Sequence, residues 1–85
     1  MKENSQIITL VDRSYLTITG ALGITAFDEG YIALNTEVGA IIIEGEEMEI
    51  EDLSSEKKTV KIKGKINLFE YRDTKQKRKG FLFAK

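Results

Sequence analysis

The sequence predicts an all-β fold: a single small domain of about eight short or bent antiparallel strands. These should curl into a barrel-like sheet or a sandwich, followed by a basic C-terminal tail. Three observations predict it. Eleven Ile, three Val and seven Thr stand against five Ala, and β-branched side chains lose rotamer freedom in helices but pack well on a pleated surface. Apolar and polar residues alternate with period two in Leu16-Thr17-Ile18-Thr19, Ile32-Ala33-Leu34-Asn35, Met48-Glu49-Ile50-Glu51, Val60-Lys61-Ile62-Lys63 and Ile66-Asn67-Leu68, the signature of half-buried strands. No window sustains the i, i+3, i+4, i+7 pattern of a helix, and 85 residues suit one core.

The elements follow in order. Strands are expected at 7–11, 15–19, 22–27, 31–36, 39–44, 47–51, 58–63 and 65–71. Asp12-Arg13, Asp28-Glu29-Gly30, Glu37-Val38-Gly39 and Gly45-Glu46 separate the earlier ones. Residues 7–71 then form the domain, 1–6 a disordered start and 72–85 the tail. Three glycines close the same motif, Ile-x-Gly, at Gly20, Gly45 and Gly64. Apolar parity runs on past the first and third, through 18, 20, 22, 24 and through 60, 62, 64, 66, 68. A two-residue hairpin at Gly64 would pair Ile62 with Lys65 and turn that lysine inward. A strand bent sharply at glycine, or a three-residue loop, keeps the parity, and the bent strand is preferred.

The net charge of −1 conceals a segregation. Residues 1–43 carry −3, residues 44–56 carry −7 without one base, residues 57–79 carry +8, and Lys85 adds one. A hairpin of 47–51 with 58–63 accounts for most of this. One register sets Met48 opposite Ile62 and Ile50 opposite Val60 on the core face, with Glu47 opposite Lys63 and Glu49 opposite Lys61 on the wet face. Cross-strand charge pairs of this kind contribute about 0.2–1 kcal/mol each.

The hairpin does not absorb the tail. Lys75, Lys77, Arg78 and Lys79 precede Phe81, Leu82 and Phe83, a basic run with an apolar tip. Three readings stand open: the tip folds back over a sheet edge or core face, docks on a partner subunit, or binds an anionic surface, either membrane or nucleic acid. Bases near an anionic leaflet contribute about 1 kcal/mol each. The lack of Trp and of aromatics interleaved with the bases argues against nucleic acid.

Catalysis and metal binding find little support. The chain has no His or Cys, which removes zinc fingers, iron–sulfur clusters, thiol nucleophiles and histidine triads. No acid stands alone within an apolar strand, where burial would raise its pKa. The acidic segment Glu44 to Glu56 lacks the alternating Asp/Asn ligands and central Gly of a calcium loop. No catalytic residue, metal ligand or cofactor site is therefore expected. The start lacks an apolar run and no stretch approaches 18 apolar residues, so an intracellular soluble protein is expected.

The landmarks run Leu16-x-Ile18-x-Gly20, Phe27-Asp28-Glu29, Thr36-x-x-Gly39, Ile43-x-Gly45, Leu53, Ile62-x-Gly64-x-Ile66, Tyr71 and a closing Gly80-Phe81-Leu82-Phe83. This order, over roughly residues 8–85, resembles the YabP/YqfC family of sporulation proteins, and the basic linker before the last motif is closest to the YabP branch. The resemblance implies a small all-β protein of the mother cell of a sporulating bacterium, cytoplasmic, involved in spore coat or cortex assembly. It brings no catalytic residues with it. One departure is Ala40-Ile41-Ile42-Ile43, more apolar than the family's usual step into Ile-x-Gly. Ile41, Ile42 and Ile43 are either a strand buried on both faces or a self-association strand. The expected function is non-enzymatic protein–protein association, with a homo-oligomer and a sporulation membrane or coat protein as partners. The alternative is an anionic-surface module using Lys61, Lys63, Lys65 and the tail.

Overall fold

The computed structural model describes residues 5–72, in which six strands form one sheet. They are β1 (Ile8–Val11), β2 (Tyr15–Thr19), β3 (Ala21–Asp28), β4 (Tyr31–Thr36), β5 (Ala40–Ser54) and β6 (Thr59–Arg72). The order across the sheet is β1-β2-β6-β5-β4-β3, every neighbouring pair antiparallel. The tail residues Lys75, Lys77, Arg78, Lys79, Phe81, Leu82 and Phe83 lie outside the described residues.

The all-β expectation holds, but eight strands become six. The expected strands 39–44 and 47–51 are one strand, β5, and 58–63 and 65–71 are one strand, β6. Both are bent where the sequence places glycine. At Gly45 a Cβ would stand 2.0 Å from the Lys65 carbonyl oxygen, and at Gly64 (φ 141°) one would stand 2.6 Å from the Met48 Cα. Only a residue without a side chain lets the two backbones approach this closely. Beside them Glu47 takes a left-handed φ of 52°, which turns Met48 inward until it is 2% exposed.

The bend curls the sheet on itself. Leu16 and Ile18 of β2 share one buried cluster with Ile32 and Leu34 of β4, although β6 and β5 lie between those strands. Ala21, Ile41, Ile43, Met48, Val60, Ile62 and Ile66 complete the cluster. Among the described residues the sheet remains open, because β1 and β3 are its two edges. It is therefore a curled sheet rather than a closed barrel.

Two details of parity and register differ from expectation. Past Gly20 (φ 73°) the buried residue is Ala21, while Leu22 is 58% exposed, so the glycine inverts the alternation there. At Gly64 parity continues from Val60 and Ile62 to Ile66, as expected, and lapses at the exposed Leu68. In the β5–β6 hairpin Ile50 faces Ile62, not Val60, and Glu49 faces Lys63, not Lys61. The ladder is offset by bulges, between Ile50 and Asp52 and between Glu46 and Glu49, the second of which takes Met48 out of it.

The Thr36-x-x-Gly39 step closes the β4–β5 turn. Thr36 Oγ1 donates to the Gly39 carbonyl at 2.6 Å and accepts from the N–H groups of Val38 and Gly39, both at 3.1 Å. One short side chain thus replaces water for three backbone groups of the turn.

Candidate interaction surface

The bend gathers two turns around it. The β1–β2 turn has Asp12 and Arg13 both left-handed (φ 51° and 55°) and is closed by Ser14 N–H donating to Val11 C=O at 2.9 Å. Beyond Gly64 this turn grips β6: Ile66 N–H donates to Arg13 C=O at 2.9 Å, and Arg13 Nε donates to Ile66 C=O at 3.1 Å. The β3–β4 turn grips β5 in the same way, with Met48 N–H donating to Glu29 C=O at 2.9 Å and Gly45 N–H to Gly30 C=O at 3.2 Å. Between the two turns lies an open groove of about 730 Å³, with Tyr15 and Phe27 among its walls and Met48 and Gly64 among its lining.

The groove joins two kinds of contact. Tyr15 and Phe27 are 53% and 52% exposed, and unpaired aromatic area of this sort is what protein interfaces are enriched in. Glu29, Glu47 and Glu49 stand beside Lys63 and Lys65 in the lining, so both signs of charge are on offer. The periodicity of the sequence misses this site. Phe27 reads as one more apolar strand residue, and the neighbouring Asp28-Glu29 reads as a turn. The signal within reach is an aromatic residue directly before an acidic turn.

The basic residues of β6 are part of a mixed ladder. Glu46 faces Lys65, Glu49 faces Lys63 and Asp52 faces Lys61. Among the described residues the ion pairs are Lys58–Glu37 at 2.8 Å and Arg72–Glu70, so the ladder charges face one another without closing to contact. The Arg72 guanidinium donates to the Glu70 carboxylate, and that hydrogen bond and charge raise the already high pKa of Arg72 further. No group of three acids among the described residues converges as a metal site would require.

Ile41, Ile42 and Ile43 lie on an interior strand, paired to β4 on one side and β6 on the other. Ile41 and Ile43 are fully buried in the core, and Ile42 on the opposite face is 6% exposed. They are buried on both faces, and at these three residues both edges of the strand are paired. Tyr71, another landmark, holds Gln6: its hydroxyl meets Gln6 Oε1, and Gln6 Nε2 donates to Thr19 C=O at 2.7 Å.

The model of the YabP family matches residues 2–78. The spore protein YabP of Bacillus subtilis (strain 168) is 33% identical over 76 residues, covering 87% of this chain and 76% of that protein. With such a match over nearly its whole length, the chain belongs to the YabP family of sporulation proteins.

Proposed function

We propose that the chain is a non-enzymatic association module that acts in spore coat or cortex assembly in the cytoplasm of the mother cell. It would do so by binding a sporulation membrane or coat protein. The observation that carries the reading is the groove at the bend, where Tyr15 and Phe27 expose half their surface beside charges of both signs. Aromatic anchors in a charged rim bind protein surfaces through a few well-packed side chains. The groove walls hang on backbone hydrogen bonds from two turns, so the site is preformed and loses little entropy on binding. The mixed ladder of β6 gives an anionic surface no uniformly basic face, and that alternative falls to the tail alone.

A photo-crosslinking amino acid in place of Phe27, introduced into the chain in sporulating cells, tests the groove. The expected result is a discrete adduct with another spore-envelope protein that Tyr15→Ala weakens. Absence of any adduct, with the chain folded and present, would overturn the reading.

A further inference from the structure

The two edges of the sheet are protected unequally. Two register slips interrupt the pairing of β3 with β4, one between Ala21 and Gly23 and one between Ile24 and Ala26, and bulges of this kind spoil an edge as a template for another strand. The other edge, β1, keeps an unbroken register with β2 from Ile8 to Val11. No residue from Ser5 to Val11 is charged, and none is proline. Ile7, Leu10 and Val11 are all exposed there, and among the described residues no strand lies on the outer side of β1.

The hydrogen-bonding direction of β1 follows from its partner. Thr19 N–H donates to Ile7 C=O at 3.1 Å, and Ile7 N–H donates to Thr19 Oγ1 at 2.8 Å, so the backbone of Ile7 points toward β2. Backbone groups alternate sides along a strand. Thr9 and Val11 therefore also point toward β2, and the N–H and C=O groups of Ile8 and Leu10 point outward.

We propose that this edge takes β1 of a second copy of the chain, antiparallel, about a two-fold axis at Thr9. In that register Ile8 faces Leu10 of the second copy, and both residues have their backbone groups aimed across the junction. They exchange two hydrogen bonds, and the symmetric pair repeats them. On the core side Ile8 covers the half-exposed Leu10. On the outer side Ile7 meets Val11, and Thr9 meets its own counterpart. Asp12 falls opposite the neutral Gln6, so no like charges meet. The segment is thus self-complementary in size, in charge and in hydrogen-bond direction, which is what an isologous contact requires. The inference stands independently of the groove.

Thr9 supplies the test, because it is exposed, and the axis brings its two copies together as a non-hydrogen-bonded pair. The Cα separation of such a pair is about 4.5 Å, within the range of roughly 4.4–6.8 Å that a disulfide spans, and the chain has no cysteine of its own. Under mild oxidation Thr9→Cys should form a crosslinked dimer far faster than Leu22→Cys on the β3 edge. At tens of micromolar the unmodified chain should sediment at twice its 9.6 kDa. Thr9→Lys and Thr9→Glu, each with an unchanged far-UV spectrum, should sediment as monomers, and mixing the two should restore a heterodimer. A monomer at that concentration with no advantage of Thr9→Cys over Leu22→Cys would overturn the proposal. Dimers that persist in both charged variants would overturn it equally.

Discussion

From Ala40 to Glu44, β5 pairs residue for residue with both neighbours, and Ile41, Ile42 and Ile43 are buried on both faces. From Gly45 to Ser54 the same strand slips against β6 again and again. The register shifts on entering Gly45, between Glu46 and Glu49, and between Ile50 and Asp52. In that half one face is wet and charged. Pairing explains the difference. From Ala40 to Glu44 an extra residue would have to be matched by β4 and β6 at once, whereas from Gly45 on β5 pairs with β6 alone, so a bulge disturbs a single ladder. The first half of β5 anchors the core, while the second is free to bulge, and one of its bulges shapes the groove.

The hinge between the halves is where the comparison breaks most easily. Gly45→Ala would drive a methyl into the Lys65 carbonyl, at 2.0 Å, and neither backbone can retreat without unbending the sheet. The expected cost exceeds about 4 kcal/mol, a large share of the roughly 5–15 kcal/mol available to a domain. Gly23→Ala is the control, since a Cβ there meets nothing within 4 Å; it should shift stability by no more than about 1 kcal/mol. Denaturant melts of both variants check this. A Gly45→Ala protein as stable as the Gly23→Ala protein would mean that the strand is not bent at Gly45.

A smaller effect should separate the two halves directly. Ile43→Ala empties a fully buried site and should cost about 2–5 kcal/mol. Leu53→Ala, on the same strand but 57% exposed, should stay within about 0.5 kcal/mol. Equal losses would place Leu53 in a second core and erase the distinction.

How far the sequence could be read follows the same division. Where alternation was regular and burial one-sided or complete, the strands were legible: β1, β2 and β4 lie within a residue or so of expectation, and the bend at Gly64 follows from the parity of Val60, Ile62 and Ile66. The bulge at Glu47 was not legible. Met48-Glu49-Ile50 alternates like an ordinary strand, and nothing in those letters says that Met48 leaves the ladder to fill the space beside Gly45 and Gly64. That contact joins residues 16 apart in sequence, and it displaced the expected register. The groove was missed for the same reason, since its walls come from two turns that only the bend brings together. The family resemblance was legible because it was read from the order of the glycines and apolar landmarks, which does not depend on strand register.

The smallest effect probes the wet half itself. Glu49 faces Lys63 in register without closing to an ion pair, so the pair interacts through solvent. Reversing one charge with Glu49→Lys sets two cations opposite each other, which should cost about 0.2–0.5 kcal/mol at low salt. Adding Lys63→Glu should recover it. The loss should fade as salt approaches 1 M, where the screening length falls to about 3 Å. Both residues line the groove, so the double variant also exchanges the signs of two groove charges while leaving the apolar walls in place. A stability change that persists in high salt would mean that Glu49 holds the bulge by packing rather than by charge. The wet half of β5 would then be as constrained in register as the buried half.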